Sequence, residues 1–324
     1  EMSKITATAP TKVILTGEHA VVYGKQAIGA ALNLPTTVSL TIHSNSSNPG
    51  ICLEMKEQFF YISWEEAAER RGEISTKGIL SLLTLKVYPE NPTDLFEYKI
   101  DISLPLGCGL GTSASLCVAV SGVLLKSKIP DATPEQINNL AFEGENCIHG
   151  KASGIDNTIV TYGGILSFKD GQITPVEFDD TKAKILLVSS GVPKNTGKMV
   201  KGVANQLATY PGLTEGIFHS IDCLSKNLVT ALEAQQYDHV KELLKINHGL
   251  LWSLGVSSEL LNDIVNTGLK YGIKGKLTGA GGGGFCLFFV TDEDTEGFLQ
   301  ECASHSWNVI EASLTHYGIK FEFS

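Results

Sequence analysis

Residues 105–125 read PLGCGLGTSASLCVAVSGVLL. Three glycines, Gly107, Gly109 and Gly111, alternate with other residues, and two hydroxyls, Thr112 and Ser113, follow. The run from Ser113 to Leu125 is apolar on nearly every side, which predicts a helix buried all round. Backbone without Cβ atoms lets several N–H groups converge on an anion, and the start of the helix adds roughly half a positive charge. The other reading is a strand-to-helix turn that binds nothing. No lysine follows the glycines as in a Walker A loop, and the spacing is not the dinucleotide pattern G-x-G-x-x-G.

Working outward, Tyr98 to Leu104 alternates with period two and predicts the strand that feeds the loop. Strands are also expected at Ile5–Thr16, Val38–His43, Ile185–Ser189 and on both sides of a second glycine cluster within 273–290, with a final core strand at Val309–Leu314. Helices are expected at Trp64–Arg71, Lys77–Tyr88, from Thr133 to near Gly150, along Ile217–Leu232, at Ser257–Tyr271 and at Thr295–Ser304. The helix at Thr133 opens on a capping box with Gln136, with Pro134 at its first position. Regular βαβ alternation is missing, so the class is α+β rather than a doubly wound sheet. The expected domain join lies at Asp179-Asp180-Thr181, dividing the chain into residues 1–180 and 181–324.

The chain has 324 residues and 43% hydrophobic composition, enough for a large core in two domains. A formal net charge of −10 argues against non-specific nucleic-acid binding. No apolar run is long enough to cross a bilayer, and Glu1 to Pro10 lacks the apolar core of a signal peptide. Seven scattered cysteines without a Cys-x-x-Cys pair read as reduced thiols of a cytoplasmic protein. A homodimer is compatible with the sequence.

Four further segments carry candidate chemistry. Five glycines in six positions, Gly279 to Gly284, would cost an ordinary hairpin too much chain entropy, so close approach of backbone to a ligand is expected. Glu143 and Glu145 fall in the last turns of a helix, where they oppose its dipole; either a bound cation reverses that sign or the pair is a solvated acidic face. Ser153-Gly154-Ile155-Asp156 fits a helix cap as well as a catalytic carboxylate. Lys12, inside the apolar strand Val13-Ile14-Leu15, meets an anion or snorkels to the surface. His19 is equally open.

Taken together, these segments resemble the GHMP kinases, the superfamily named for galacto-, homoserine, mevalonate and phosphomevalonate kinases. Lys12 to Lys25 (KVILTGEHAVVYGK), Glu145 to Gly150, Ser153 to Asn157 and Gly191 to Thr196 (GVPKNT) are similar to its mevalonate kinase branch, over nearly the whole chain. Two departures stand out: Thr11 replaces a glycine before the lysine, and Thr112 replaces the first serine of a pair.

The resemblance implies a GHMP kinase fold, with a first domain like ribosomal protein S5 domain 2 and a ferredoxin-like second domain. The site would lie between them. It implies ATP as co-substrate, Mg²⁺ as cofactor and mevalonate as the phosphoryl acceptor. Asp156 matches the catalytic aspartate and Lys12 its cationic neighbour. Gly107, Cys108, Gly109, Leu110, Gly111, Thr112 and Ser113 match the triphosphate loop, with Lys12 beside it. Ser113 and Glu145 match the metal ligands. His19 and Thr196 match positions near substrate and reacting phosphate.

Overall fold

The computed structural model describes residues 4–90, 93–149, 152–179 and 181–324. Gly150 and Asp180, named above as a helix end and a domain join, lie outside the described residues. The first half runs β1 (Lys4–Thr16), β2 (Ala27–His43), β3 (Gly50–Met55), β4 (Gln58–Ser63), α1 (Trp64–Glu69), α2 (Thr76–Val87), β5 (Leu95–Ile102), α3 (Thr112–Lys128), α4 (Pro134–His149), α5 (Ile155–Tyr162), β6 (Ile165–Lys169) and β7 (Gln172–Val176). The second runs β8 (Lys184–Ser189), α6 (Thr196–Thr209), α7 (Pro211–Glu233), α8 (Tyr237–Ser253), α9 (Glu259–Lys270), β9 (Gly275–Leu277), β10 (Phe285–Val290), α10 (Glu296–Ser304), β11 (Val309–Ser313) and β12 (Lys320–Phe323).

Two sheets organise these elements. The first has the order β12-β1-β2-β5-β3-β4, with β6 and β7 continuing from the other end of β2. Its β1–β2 ladder shifts register between Ala9 and Thr11, where Pro10 brings no N–H to the ladder. Thr11 is buried at the end of this shift, and from Thr11 through Lys12 to Ile14 the pairing with β2 is regular. The second sheet is antiparallel in the order β11-β8-β10-β9, and all six residues of β10 are buried. The α+β class is what the two sheets and their helices show.

α3 is the central helix of the first sheet's layer, with every residue from Ala114 to Leu124 buried. Each such Leu or Val removes enough apolar surface from water to contribute roughly 1.5–3 kcal/mol. The Ser115 hydroxyl donates to Ala9 O at 2.9 Å, fixing the start of α3 against β1. The capping box of α4 forms in both directions: Thr133 N–H donates to Gln136 Oε1 at 2.8 Å, and Gln136 N–H to Thr133 Oγ1 at 3.3 Å.

Val309–Leu314 carries the last strand to reach the core, with Ala312 and Leu314 buried, but a further, largely exposed strand follows it. After β11 the chain crosses back, and β12 pairs antiparallel with β1, Ile5 opposite Phe323. The chain therefore passes twice between the sheets, after β7 and after β11. The two crossings touch, since the Phe178 and His316 rings stack with centroids 4.3 Å apart. All seven cysteines are free thiols. Among the described residues no helix is long and apolar enough to cross a membrane.

Candidate active site

Three structural devices converge on one cleft of about 700 Å³. The first is the loop into α3. Gly107, Gly109 and Gly111 all take left-handed backbone, with φ of 78°, 87° and 75°, and this is why the glycines alternate. Gly111 sits at the N-cap of α3 without a side-chain cap, so the first N–H groups of the helix are left for a ligand, and Thr112 and Ser113 line the cleft. The Thr112 hydroxyl is turned back to Pro105 O at 3.1 Å. Leu110 is buried in the core and its carbonyl accepts the Lys12 N–H at 3.1 Å; Cys108 packs toward Thr112. Neither side chain lines the cleft, so these two residues can offer only backbone.

The second device is the pairing of β1 with α5. Lys12 Nζ lies 2.7 Å from Asp156 Oδ1, the lysine side chain 7% exposed and the aspartate 35%. Asp156 is therefore not a helix cap. Gly154, with φ 78°, occupies the N-cap of α5, and Ser153 makes only a weak 3.4 Å bond to Ile155 N–H. Lys12 does not snorkel outward either; its stem occupies the space a Cβ on Gly111 would need, 2.6 Å from Lys12 Cγ.

The third device is acidic. Glu143 pairs with Lys86 on the surface, whereas Glu145 is buried, hydrogen-bonded by the Ser113 hydroxyl and the Cys117 thiol. Burial first, and the negative charge of Asp156 second, push the Glu145 carboxyl up to about 7. A divalent cation here would oppose both causes by favouring the ionised carboxylate. The donor set, one carboxylate and one hydroxyl, is hard oxygen and suits Mg²⁺, which takes few protein ligands and completes its shell with phosphate and water.

The structure adds a residue that spacing did not single out. Lys194, in the quoted segment GVPKNT, enters the cleft through space left by three missing side chains. A Cβ on Gly109, Gly279 or Gly284 would fall 2.3, 2.7 or 2.0 Å from its atoms. Its ammonium donates to Thr278 O at 3.1 Å and Gly109 O at 3.4 Å, so it ties the two glycine loops together without a carboxylate partner among these contacts. The second glycine cluster thus approaches protein closely as well as the cleft, which Gly279 and Ala280 line. Burial and the charge of Lys12 lower the Lys194 ammonium to about 8.

Thr196, at the start of α6, lines the cleft from the side of the second sheet. His19 does not line it. Its Nε2–H donates to Ala280 O at 2.9 Å, one residue behind the surface, and its backbone is held at φ 62°. Burial lowers the His19 pKa, which favours the neutral ring. A glycine loop at a helix N-terminus, two cations and the carboxylates of Asp156 and Glu145 around one cleft suit a phosphoryl transfer.

The comparisons agree with this geometry. The family model for the GHMP kinases N terminal domain matches residues 77–164, and that for the GHMP kinases C terminal matches residues 228–308. Mevalonate kinase of Arabidopsis thaliana is 33% identical, over 96% of this chain and 97% of its own length. That of Homo sapiens is 31% identical, over 97% and 94%. Among solved structures, Methanococcus jannaschii mevalonate kinase superposes with a TM-score of 0.84 at 28% identity, covering 96% of this chain and 98% of its own. L. major mevalonate kinase in complex with R-mevalonate gives 0.81 at 26% identity, covering 96% of each. With a relative a third identical along nearly all of both chains, the cleft belongs to a known lineage: this chain is a member of the mevalonate kinase family of GHMP kinases.

Proposed function

We propose that the cleft transfers the γ-phosphoryl group of ATP to the C5 hydroxyl of mevalonate, giving 5-phosphomevalonate and ADP. The observation that carries the site assignment is the Lys12–Asp156 pair, 2.7 Å apart, beside the N-terminus of α3. The hydroxyl oxygen bonds to the γ-phosphorus, the bond to the β–γ bridging oxygen breaks, and ADP leaves with that oxygen. Asp156 receives or holds the hydroxyl proton. Lys12 and Lys194 face charge that spreads over the γ-phosphoryl oxygens, and the glycine-loop N–H groups hold the remaining phosphates. Ser113 and Glu145 would hold Mg²⁺, which would offset the negative charge of the phosphates.

Thr196 closes the cleft from the second sheet, and His19 acts on it through Ala280. The proposed division at residues 180 and 181 separates the two sheets, with β12 the one strand that returns. Free, scattered thiols fit the reducing cytoplasm proposed for this chain. An acceptor panel tests the reading: ADP release with mevalonate, phosphomevalonate, galactose and homoserine. Mevalonate should be the best acceptor, and a better rate on any other would overturn the choice.

Two outcomes follow from the site chemistry. Glu145→Gln keeps shape and removes charge, so the Mg²⁺ concentration for half-maximal rate should rise about tenfold or more; an unchanged Mg²⁺ titration would return Glu145 to a structural role. For Lys194 the sign is set by its lowered pKa: the cation is present below about 8 and lost above it. The kcat/KM for ATP should therefore fall by about tenfold per pH unit on the alkaline side, since this ratio reports the free enzyme. Lys194→Arg, which stays charged, should remove that descending limb. A limb that persists in the arginine variant would assign it to another group.

A further inference from the structure

Lys12 and Lys194 line the cleft, yet the most deeply buried cation among the described residues stands behind it. Lys276 of β9 is 0% exposed and forms an ion pair with Glu18, itself buried, from the loop after β1. Asn247 of α8 donates to the other Glu18 oxygen at 3.2 Å. The same strand end is held twice more. The Thr278 hydroxyl donates to Ile14 O at 2.9 Å, and Lys276 reaches that carbonyl at 3.5 Å. On the far side Leu277 N–H donates to His248 Nδ1 at 3.2 Å, and His248 Nε2–H to Asn262 Oδ1 at 3.1 Å.

Stability does not account for this arrangement. A buried ion pair gains little over an apolar pair of the same volume, because desolvation offsets the attraction. Its placement is more informative. Glu18 lies six residues after Lys12 and next to His19, whose ring holds Ala280 O. Lys276 lies three residues before Gly279, which lines the cleft. The pair thus joins the end of the Lys12 strand, in the first sheet, to the root of the second glycine loop, in the second.

We infer that Glu18 and Lys276 are positioning residues for phosphoryl transfer: their ion pair sets the distance between the Lys12–Asp156 couple and the second glycine loop. This rests on the phosphotransfer reading. A charged, hydrogen-bonded pair fixes direction as well as contact, which an apolar pair of equal volume does not. Small misplacements of reacting groups cost rate steeply, so such a device acts on kcat more than on binding.

The test is a cycle read in Tm, kcat and both KM values. Glu18→Gln and Lys276→Met alone each leave a buried charge without its partner, and both Tm and kcat should fall. The double variant removes both charges and should recover most of the Tm while kcat stays about tenfold or more below wild type, with KM for ATP and mevalonate within about threefold. If kcat recovers together with Tm, the pair is structural and the inference is overturned. Should the double variant not fold, Thr278→Val decides, since it deletes only the hydroxyl bond to Ile14 O. A several-fold lower kcat at unchanged Tm supports positioning, and an unchanged kcat overturns it. Wild-type protein without turnover on mevalonate would overturn the acceptor reading, a result distinct from either.

Discussion

Replacing Asp156 by asparagine is expected to lower kcat by about 10²-fold or more, with KM for ATP nearly unchanged. Asparagine keeps the size of the side chain and its place in the first turn of α5, but it cannot take up the proton of the acceptor hydroxyl. It also ends the ion pair with Lys12, now 2.7 Å long. Because the Asp156 side chain is about a third exposed (35%), the stability lost with that pair should be small, and Tm separates this from catalysis. In the proposed reaction ATP is held by the glycine loop and the start of α3, which the substitution does not touch. Near-normal turnover in the variant would make Asp156 an ordinary helix residue and remove the site assignment.

Lys12→Met should also be severe, about 10²–10³-fold in kcat, the scale for losing a group aimed at charge that develops in the transition state. Methionine preserves the apolar stem that packs where Gly111 lacks a Cβ, so the path of the loop should survive. What disappears is the ammonium that faces Asp156 and, in the proposed reaction, the phosphoryl group. KM for ATP should rise as well, in contrast with Asp156→Asn. Groups that act as one unit are not additive, so Lys12→Met combined with Asp156→Asn should cost little more than the worse single change. Full additivity would mean that the two residues work independently, and wild-type turnover of Lys12→Met would exclude the lysine from the reaction.

The elements that line the cleft were more legible in the sequence than the frame that supports them, for physical reasons. Alternating glycines before an all-apolar helix are a local signal, and the loop into α3 is built as read. The choice between Glu143 and Glu145 was not local: it turns on Lys86, far along the chain, which takes Glu143 to the surface. Lys194 escaped notice because its environment is made by glycines of two other segments. α8 buries Lys241, Asn247 and His248 among its leucines, and these polar residues blur the 3.6-residue period. α6 has Val203 as its one buried residue, so it carries almost no periodic signal. β12 is four residues long and largely exposed, and only its ladder with β1 makes it a strand.

That returning strand has a mechanical consequence. The portion of the chain from β8 to β11 is spliced into the rest and tethered at both ends. Its second tether is sewn down: Thr315 N–H bonds Ala31 O at 3.1 Å, Gly164 N–H bonds Thr315 O at 2.9 Å, and Ile319 N–H bonds Thr161 O at 3.2 Å. A body held by one strand is free to turn about it, whereas two adjacent tethers remove that freedom. Here the two tethers meet at the stacked rings of Phe178 and His316. At the opposite end, the bonds from Thr278 to Ile14, His19 to Ala280 and Lys194 to Gly109 fasten the second glycine loop to the first sheet and its loops. Clamped at both ends, Lys194 and that loop keep one place beside Lys12 and Asp156.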